Sequence, residues 1–193
     1  MDFVTDVSYL KNAIAEEGGN RTFLAAASIP PRKGSRPRMV RGVPHRQVDQ
    51  HPEKEMLSVM DARLAALHDF AASGARRISY RPSLWELTGA QALIVADCEP
   101  RTCSASLIRT KGEFAHRHSY DGSFHVQLSP RDIALVIESG WGELFPISGA
   151  LWGKIPHVAL VYAPRTKEEA DIVTKILVAS YEYATSPRPS SSN

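Results

Sequence analysis

The stretch Glu113-Phe114-Ala115-His116-Arg117-His118-Ser119-Tyr120-Asp121-Gly122-Ser123-Phe124-His125-Val126-Gln127-Leu128 restricts the fold more than any other part of the chain. Strand-like alternation runs up to Asp121-Gly122 and away from it, and that dipeptide is favoured in tight hairpin turns. A two-residue loop sets His118 opposite His125, with His116 one step along the same face. That face carries His116, His118, Tyr120, Ser123, His125 and Gln127. The reverse face carries Ala115, Phe124, Val126 and Leu128, with Arg117 the exception. A four-residue loop preserves these sides, because side-chain direction along a strand has period two; a three-residue loop does not. One side suits a core and the other suits chemistry or water.

Around the hairpin, helices and strands alternate. Residues 5–17 predict a short helix, and Met56, Met60, Leu64 and Leu67 recur at helical spacing in a longer one over 52–72. Residues 28–52, rich in Pro, Arg and Gly, predict an extended segment that wraps the surface or borders a site. Strands are expected at 77–80, 84–87, 90–96 and 104–108, beside the two hairpin arms. Ser129 caps a helix that Pro130-Arg131-Asp132 opens and Gly140 stops. A glycine-rich loop over 140–149 leads to an apolar strand at 158–162. Thr166-Lys167-Glu168-Glu169 fits a capping box for a last helix with the apolar face Ala170, Val173, Ile176, Leu177, Ser180 and Tyr181. Strands grouped with helices before, within and after them predict an α+β fold with a mainly antiparallel sheet packed against helices. It is expected as a single domain over 1–185, with a Pro/Ser-rich disordered tail over 186–193.

Composition narrows the functional classes. A chain of 193 residues has room for one domain with a substantial core. Its net charge of +2 is too small to indicate a nucleic-acid partner. The early basic cluster from Arg32 to Arg38 reads as a solvated or ion-paired loop. Cys98 and Cys103 alone do not make a disulfide framework and suit a reducing compartment. No apolar run approaches the roughly 20 residues of a membrane span, and Met1 to Asp6 lack the parts of a secretory signal. A cytoplasmic protein with no membrane span is expected.

Several stretches, in their order and spacing, resemble the fungal luciferase family and its non-luminous luciferase-like relatives. They are Glu113 to His118 with His125, then Gly140-Trp141-Gly142-Glu143, then Tyr162-Ala163-Pro164-Arg165 with Glu168-Glu169. An earlier stretch from Gly34-Ser35-Arg36-Pro37 to Gln47 resembles the family as well, so the likeness spans about residues 23–184. The resemblance implies a small enzyme acting on a hydroxylated pyrone or a related metabolite, without metal or cofactor. Three departures accompany it. The family's glycine loop commonly continues to a histidine, where this chain has Phe145. Luminous members carry a histidine near Trp85-Glu86-Leu87-Thr88, and a hydrophobic N-terminal anchor; this sequence shows neither.

Imidazoles titrate near pH 6.5, so His116, His118 and His125 suit proton relay at neutral pH. Close neighbours disfavour one another's charged form, so at least one of them stays neutral. A solvated strand face is the plain alternative. Three imidazoles on adjoining strands also suit zinc or iron, although the spacing lacks the downstream carboxylate of a His-x-His oxygenase; no metal is expected. Glu143 is a candidate acid or a partner that orients a histidine. Tyr162 offers a hydroxyl to a pocket or sits satisfied in the core, and Trp141 either walls a pocket or fills the core. Arg165 holds a substrate carbonyl or pairs with Glu168 or Glu169.

The catalytic set expected is therefore His116, His118, His125, Tyr162 and Glu143, with Tyr120, Gln127, Trp141, Phe145, Trp152 and Arg165 binding substrate. No nucleophile elbow, phosphate loop or dinucleotide fingerprint is present, so no cofactor is expected. The function expected is cofactor-independent enzymology on a hydrophobic, carbonyl-bearing metabolite of polyketide or terpenoid type. With Phe145 in the glycine loop, a non-oxidative cyclisation (pericyclic reactions included) or isomerisation leads. Oxygenation of a hydroxypyrone and non-catalytic ligand binding are the alternatives.

Overall fold

The computed structural model describes residues 7–16, 21–40, 42, 44–72, 78–86, 89–99, 103, 105–148 and 157–186. Six strands form one antiparallel sheet in the order β3-β4-β5-β6-β8-β7. They are β3 (Ile78–Pro82), β4 (Gln91–Val95), β5 (Glu113–Arg117), β6 (Phe124–Gln127), β7 (Gly142–Leu144) and β8 (Val158–Val161). The short pair β1 (Met39–Val40) and β2 (Arg46–Gln47) makes a separate ribbon. Helices are α1 (Val7–Glu16), α2 (Lys54–Ala72), α3 (Ala105–Arg109), α4 (Pro130–Glu138) and α5 (Lys167–Thr185). The fold is α+β, as the pattern of elements predicts. None of the described helices is long and apolar enough to cross a membrane.

Direct pairing defines two transverse rows across the sheet. Leu93, Ala115, Val126, Ala159 and Leu144 form one row from β4 to β7. It faces α5, whose Ala170, Val173, Ile176 and Leu177 complete the core. The neighbouring row, on the other face, is Ala92, His116, His125, Leu160 and Glu143. Two candidate catalytic types, imidazole and carboxylate, thus lie along one line, with an apolar layer behind them.

The described residues of 28–52 run past the end of α4 and reach this second face at Pro44, His45 and Arg46. Arg32 N–H donates to the Ser139 carbonyl (2.8 Å) and Arg36 to that of Ile137 (2.8 Å). The buried Gln47, paired with Met39 in the ribbon, adds side-chain bonds: its Oε1 accepts from Ala163 N–H, and its amide donates to the Asp49 and Gln50 carbonyls. The predicted N-caps form at α4 and α5, although the Glu169 carboxylate accepts from Arg165 N–H rather than completing the expected capping box with Thr166. Ser129 accepts from Asp132 N–H and Thr166 accepts from Glu169 N–H.

Four local expectations are corrected. The hairpin register is shifted by two: His118 N–H donates to Ser123 O, leaving the four-residue loop 119–122, and His116 rather than His118 faces His125. Because the shift is even, the side assignments survive. Residues 84–86 do not form a strand; Ser83 Oγ instead accepts from the N–H groups of Trp85 and Glu86 and bends the chain. The expected strand at 104–108 is helix α3 over its described part. The glycine loop contains the edge strand β7. Residue 87, Trp152 and the tail from 187 lie outside the described residues.

Gly140 ends α4 at φ +77° as the sequence expects, and Gly142 serves a different purpose. A Cβ on Gly142 would lie 2.3 Å from the Leu160 carbonyl oxygen, so only glycine lets β7 pair with β8. Gly142→Ala is expected to cost about 1–3 kcal/mol through overpacking, read as a lower urea midpoint at unchanged slope. An unaltered midpoint would count against the β7 placement.

Candidate functional site

Three imidazoles meet over β5 and β6. His125 Nδ1 is 3.2 Å from His116 Nε2 and 3.2 Å from His118 Nε2. Hydrogen bonding behind the rings fixes the tautomers. Ser83 Oγ accepts two backbone N–H groups, so its proton goes to Glu113 Oε1 (2.7 Å), while Leu84 N–H donates to Oε2 (2.7 Å). Glu113 is therefore an acceptor, and His116 Nδ1 donates to it (2.8 Å). Ser123 Oγ donates to Asp121 Oδ1 (2.7 Å), so His118 Nδ1 donates to Ser123 Oγ (2.8 Å). Both rings consequently present Nε2 lone pairs to His125.

The remaining donors match those lone pairs. Arg46 Nη1 donates to His118 Nε2 (3.2 Å), and His125 Nδ1–H donates to His116 Nε2. That leaves the lone pair on His125 Nε2, which is closed to solvent and has no hydrogen-bond partner among the described residues. The three ligand-capable nitrogens lie within 4.8 Å of one another, a spacing that admits one ion. The Arg46 guanidinium on His118 Nε2 would face that ion with like charge, so the donor set fits a proton network better.

A cavity of about 340 Å³ opens over this row. Phe145, Val158 and Pro44 give it apolar walls, and Arg46, Glu113, His116, His125 and Gln127 are among its polar lining residues. Trp85 and Ile147 line it while 51% and 39% exposed, which places them at the mouth. Phe145 meets the His125 ring edge-on at 4.8 Å. An ion pair between Arg46 and Glu86 joins the 28–52 segment to the bend after β3 beside the cavity.

Electrostatics favour the neutral forms of His118 and His125. Burial, then the neighbouring His118, His116, His45 and Arg46, holds the His125 pKa well below the ordinary imidazole value. Burial also lowers His118; the hydrogen bond with Asp121 opposes this, and His116 and Arg46 reinforce it. For Asp121, hydrogen bonds from His118 and Ser123 outweigh burial and keep the carboxylate ionised below its usual range. Burial pushes the Tyr162 phenol up, with Glu143 next in effect.

The fold gathers some of the expected site residues and disperses others. His116, His125, Gln127 and Phe145 line the cavity, and His118 adjoins them. Gln127 has its amide fully engaged, accepting from Ser106 and donating to Thr110 Oγ1 and Glu113 O. Tyr120 is 83% exposed at the hairpin tip, against His51. Trp141 is in the core and donates to the Pro30 carbonyl (2.7 Å). Arg165 takes the ion-pair alternative with Glu169 and also donates to Lys33 O. Tyr162 is buried and donates to Glu143 Oε2 (3.3 Å), while Glu143 Oε1 accepts from His45 Nε2 (2.6 Å).

Glu113, His45, Arg46 and Glu86 were not among the expected residues. Strict alternation puts Glu113 on the face opposite His116. The pairing skips Phe114, since Ala115 faces Leu93 and Glu113 faces Ile94; this bulge turns Glu113 toward His116 and Phe114 toward Tyr181. The signal for His45 and Arg46 was weak: polar residues in a segment expected to border a site.

Comparison with known proteins finds sequence similarity over part of the chain. The profile of the luciferase domain matches residues 111–180, from the start of β5 into α5. Over those residues the chain is similar to the luciferase domain. It is 29% identical over 165 residues to a luciferase of Armillaria gallica, and equally to one of Armillaria mellea, covering 81% of this chain and 61% of each relative. A luciferase of Neonothopanus nambi is 40% identical over 79 residues, which is 40% of this chain and 30% of that protein. The chain thus spans about three fifths of the length of the Armillaria relatives. No solved structure matches it. The matched segment carries the three histidines, Glu143 and Tyr162, whereas His45, Arg46 and Glu86 lie outside it.

The depressed imidazoles carry a stability signature. As pH falls through 6.5 the unfolded chain takes up protons that folded His118 and His125 refuse, so their contribution is complete above 6.5 and lost below it. Each such group is expected to cost about 1.4 kcal/mol per pH unit until its folded-state pKa is reached. Urea midpoints between pH 7.5 and 5.5 should fall, and His125→Asn should flatten that slope by one proton. A slope unchanged in the variant would contradict the buried, neutral state of His125.

Proposed function

We propose that this luciferase-like domain is an enzyme of small-molecule metabolism that binds an apolar, carbonyl- or enol-bearing substrate in the cavity over the histidine row. Neutral imidazoles and cavity shape then promote a non-oxidative cyclisation or isomerisation without cofactor. One observation carries this reading: a largely apolar cavity lined by His116, His125 and Arg46, beneath which His125 Nε2 is the one nitrogen of the cluster without a hydrogen-bond partner among the described residues. A substrate hydroxyl or enol donating to Nε2 satisfies it in a water-poor space, where one hydrogen bond polarises the substrate more than in water. Arg46, at the same wall, stabilises negative charge that develops on the substrate oxygen. Phe145 and Val158 press the apolar body into a reactive conformation.

A second reading follows from the family. The relatives are named luciferases, which supports deprotonation at the same cavity followed by attack of O2 on the resulting enolate. Both readings share the binding step and differ in what the activated substrate meets.

Purified protein incubated with a panel of polyketide lactones and hydroxypyrones, with and without oxygen, separates them. The leading reading expects a product isomeric with its substrate and equal rates in both atmospheres, unaffected by prior dialysis against EDTA. Oxygen uptake matched to a product heavier by oxygen atoms would replace it with the second. In either case His125→Gln should lower kcat/KM by about 10²-fold or more. A variant of wild-type rate would remove the imidazole cluster from the chemistry.

A further inference from the structure

Arg46 is the one arginine or lysine among the described residues that line the cavity, and its counter-ion Glu86 lines it too. The Arg46 side chain is 19% exposed, so part of it is open to a molecule that enters. Both Nη1 hydrogens are spent within the fold, on the His45 carbonyl (2.8 Å) and on His118 Nε2 (3.2 Å). Nη2 donates to the Glu86 carboxylate, and Nε has no hydrogen-bond partner among the described residues. A guanidinium carries five donors in a rigid fork, so the edge made by Nε and Nη2 has room for a planar acceptor. Glu113, the other carboxylate of the lining, is occupied by Ser83, the N–H of Leu84 and His116.

An apolar cavity with one cation on its wall favours a ligand with an apolar body and one anionic group. A guanidinium facing apolar side chains without a counter-ion loses hydration and gains nothing in return. In the structure Glu86 supplies that counter-ion from the protein itself. Glu86 follows the bend at Ser83, beside Leu84 and Trp85, which are 44% and 51% exposed. Its own side chain is 11% exposed, so water adjoins it at the mouth. We infer that the substrate is a free carboxylic acid whose carboxylate takes the Nε–Nη2 edge of Arg46 in exchange for Glu86, which turns to solvent. Exchange keeps a single anion on Arg46, so the wall holds neither a bare guanidinium nor two carboxylates in competition. The inference rests on the proposed reading of the cavity and adds an ionised carboxylate to the carbonyl- or enol-bearing body. Glu86 thereby acts as a built-in competitor that an anionic ligand displaces and a neutral one does not.

Titration calorimetry at pH 7.5 with 2-naphthoate and its neutral amide, 2-naphthamide, tests this, since the two share one apolar body and differ in charge. Wild-type protein is expected to bind the acid about tenfold more tightly than the amide. Arg46→Gln should erase that preference. Glu86→Gln, which removes the competing charge, should tighten the acid at least about threefold and leave the amide unchanged. Equal affinity of the wild type for both probes overturns the inference and leaves the cavity reading intact. So does an Arg46→Gln variant that keeps the preference, or a Glu86→Gln variant whose affinity for the acid is unchanged or weaker. Binding of neither probe by the wild type overturns the cavity reading and the inference with it. Should Arg46→Gln lose both probes or fail to fold by circular dichroism, the wild-type ratio and Glu86→Gln decide the matter.

Discussion

The buried carboxylate of Asp121 holds the hairpin, the 28–52 segment and one histidine in a single arrangement. Its Oδ1 accepts from the N–H and the hydroxyl of Ser123, and its Oδ2 accepts from Gln47 N–H. The first two bonds close a four-residue loop and so set which residues of β5 and β6 face each other. The third ties β2 to the hairpin tip and brings His45 and Arg46, just before Gln47, over the sheet. Through Ser123 the same carboxylate orients His118, so turn geometry, register and tautomer share one cause.

Burial then sets the chemistry. An imidazole placed among two others and an arginine, behind apolar side chains, keeps its neutral form because the charged one loses solvation and meets like charge. The network supplies a donor to each lone pair of the cluster except His125 Nε2, on a ring that borders the cavity. Glu113 and Asp121 stand behind His116 and His118, as carboxylates stand behind many working imidazoles, whereas His125 has none behind it. Glu143 plays that part for His45, whose ring stacks on His125. Two adjoining imidazoles therefore sit in unlike electrostatic surroundings.

Much of this was readable before any coordinates. The caps at Ser129 and Thr166, the buried faces of α2 and α5, and the shared side of His116, His118 and His125 follow from local hydrogen-bonding rules and period-two or 3.6 spacing. The stretch 104–108 misled because Ile and Leu beside Ser fit a short strand as well as a short helix, and only packing chooses between them. Residues 84–86 misled because Ser83 spends its hydroxyl on a bend and on Glu113. Glu113 itself was hidden by one skipped pairing partner, since a bulge inverts the alternation on which the reading depends.

The sequence by itself determined the α+β class, the two faces of the hairpin and the histidine set, because these depend on spacing along the chain and on a turn of even length. Tertiary structure alone decided that His45 and Arg46 reach the cluster, that Trp141, Tyr120 and Arg165 stand away from the cavity, and which nitrogen is left without a donor. Those outcomes depend on groups dozens of residues apart competing for the same hydrogen bonds, and that competition has no expression in local pattern.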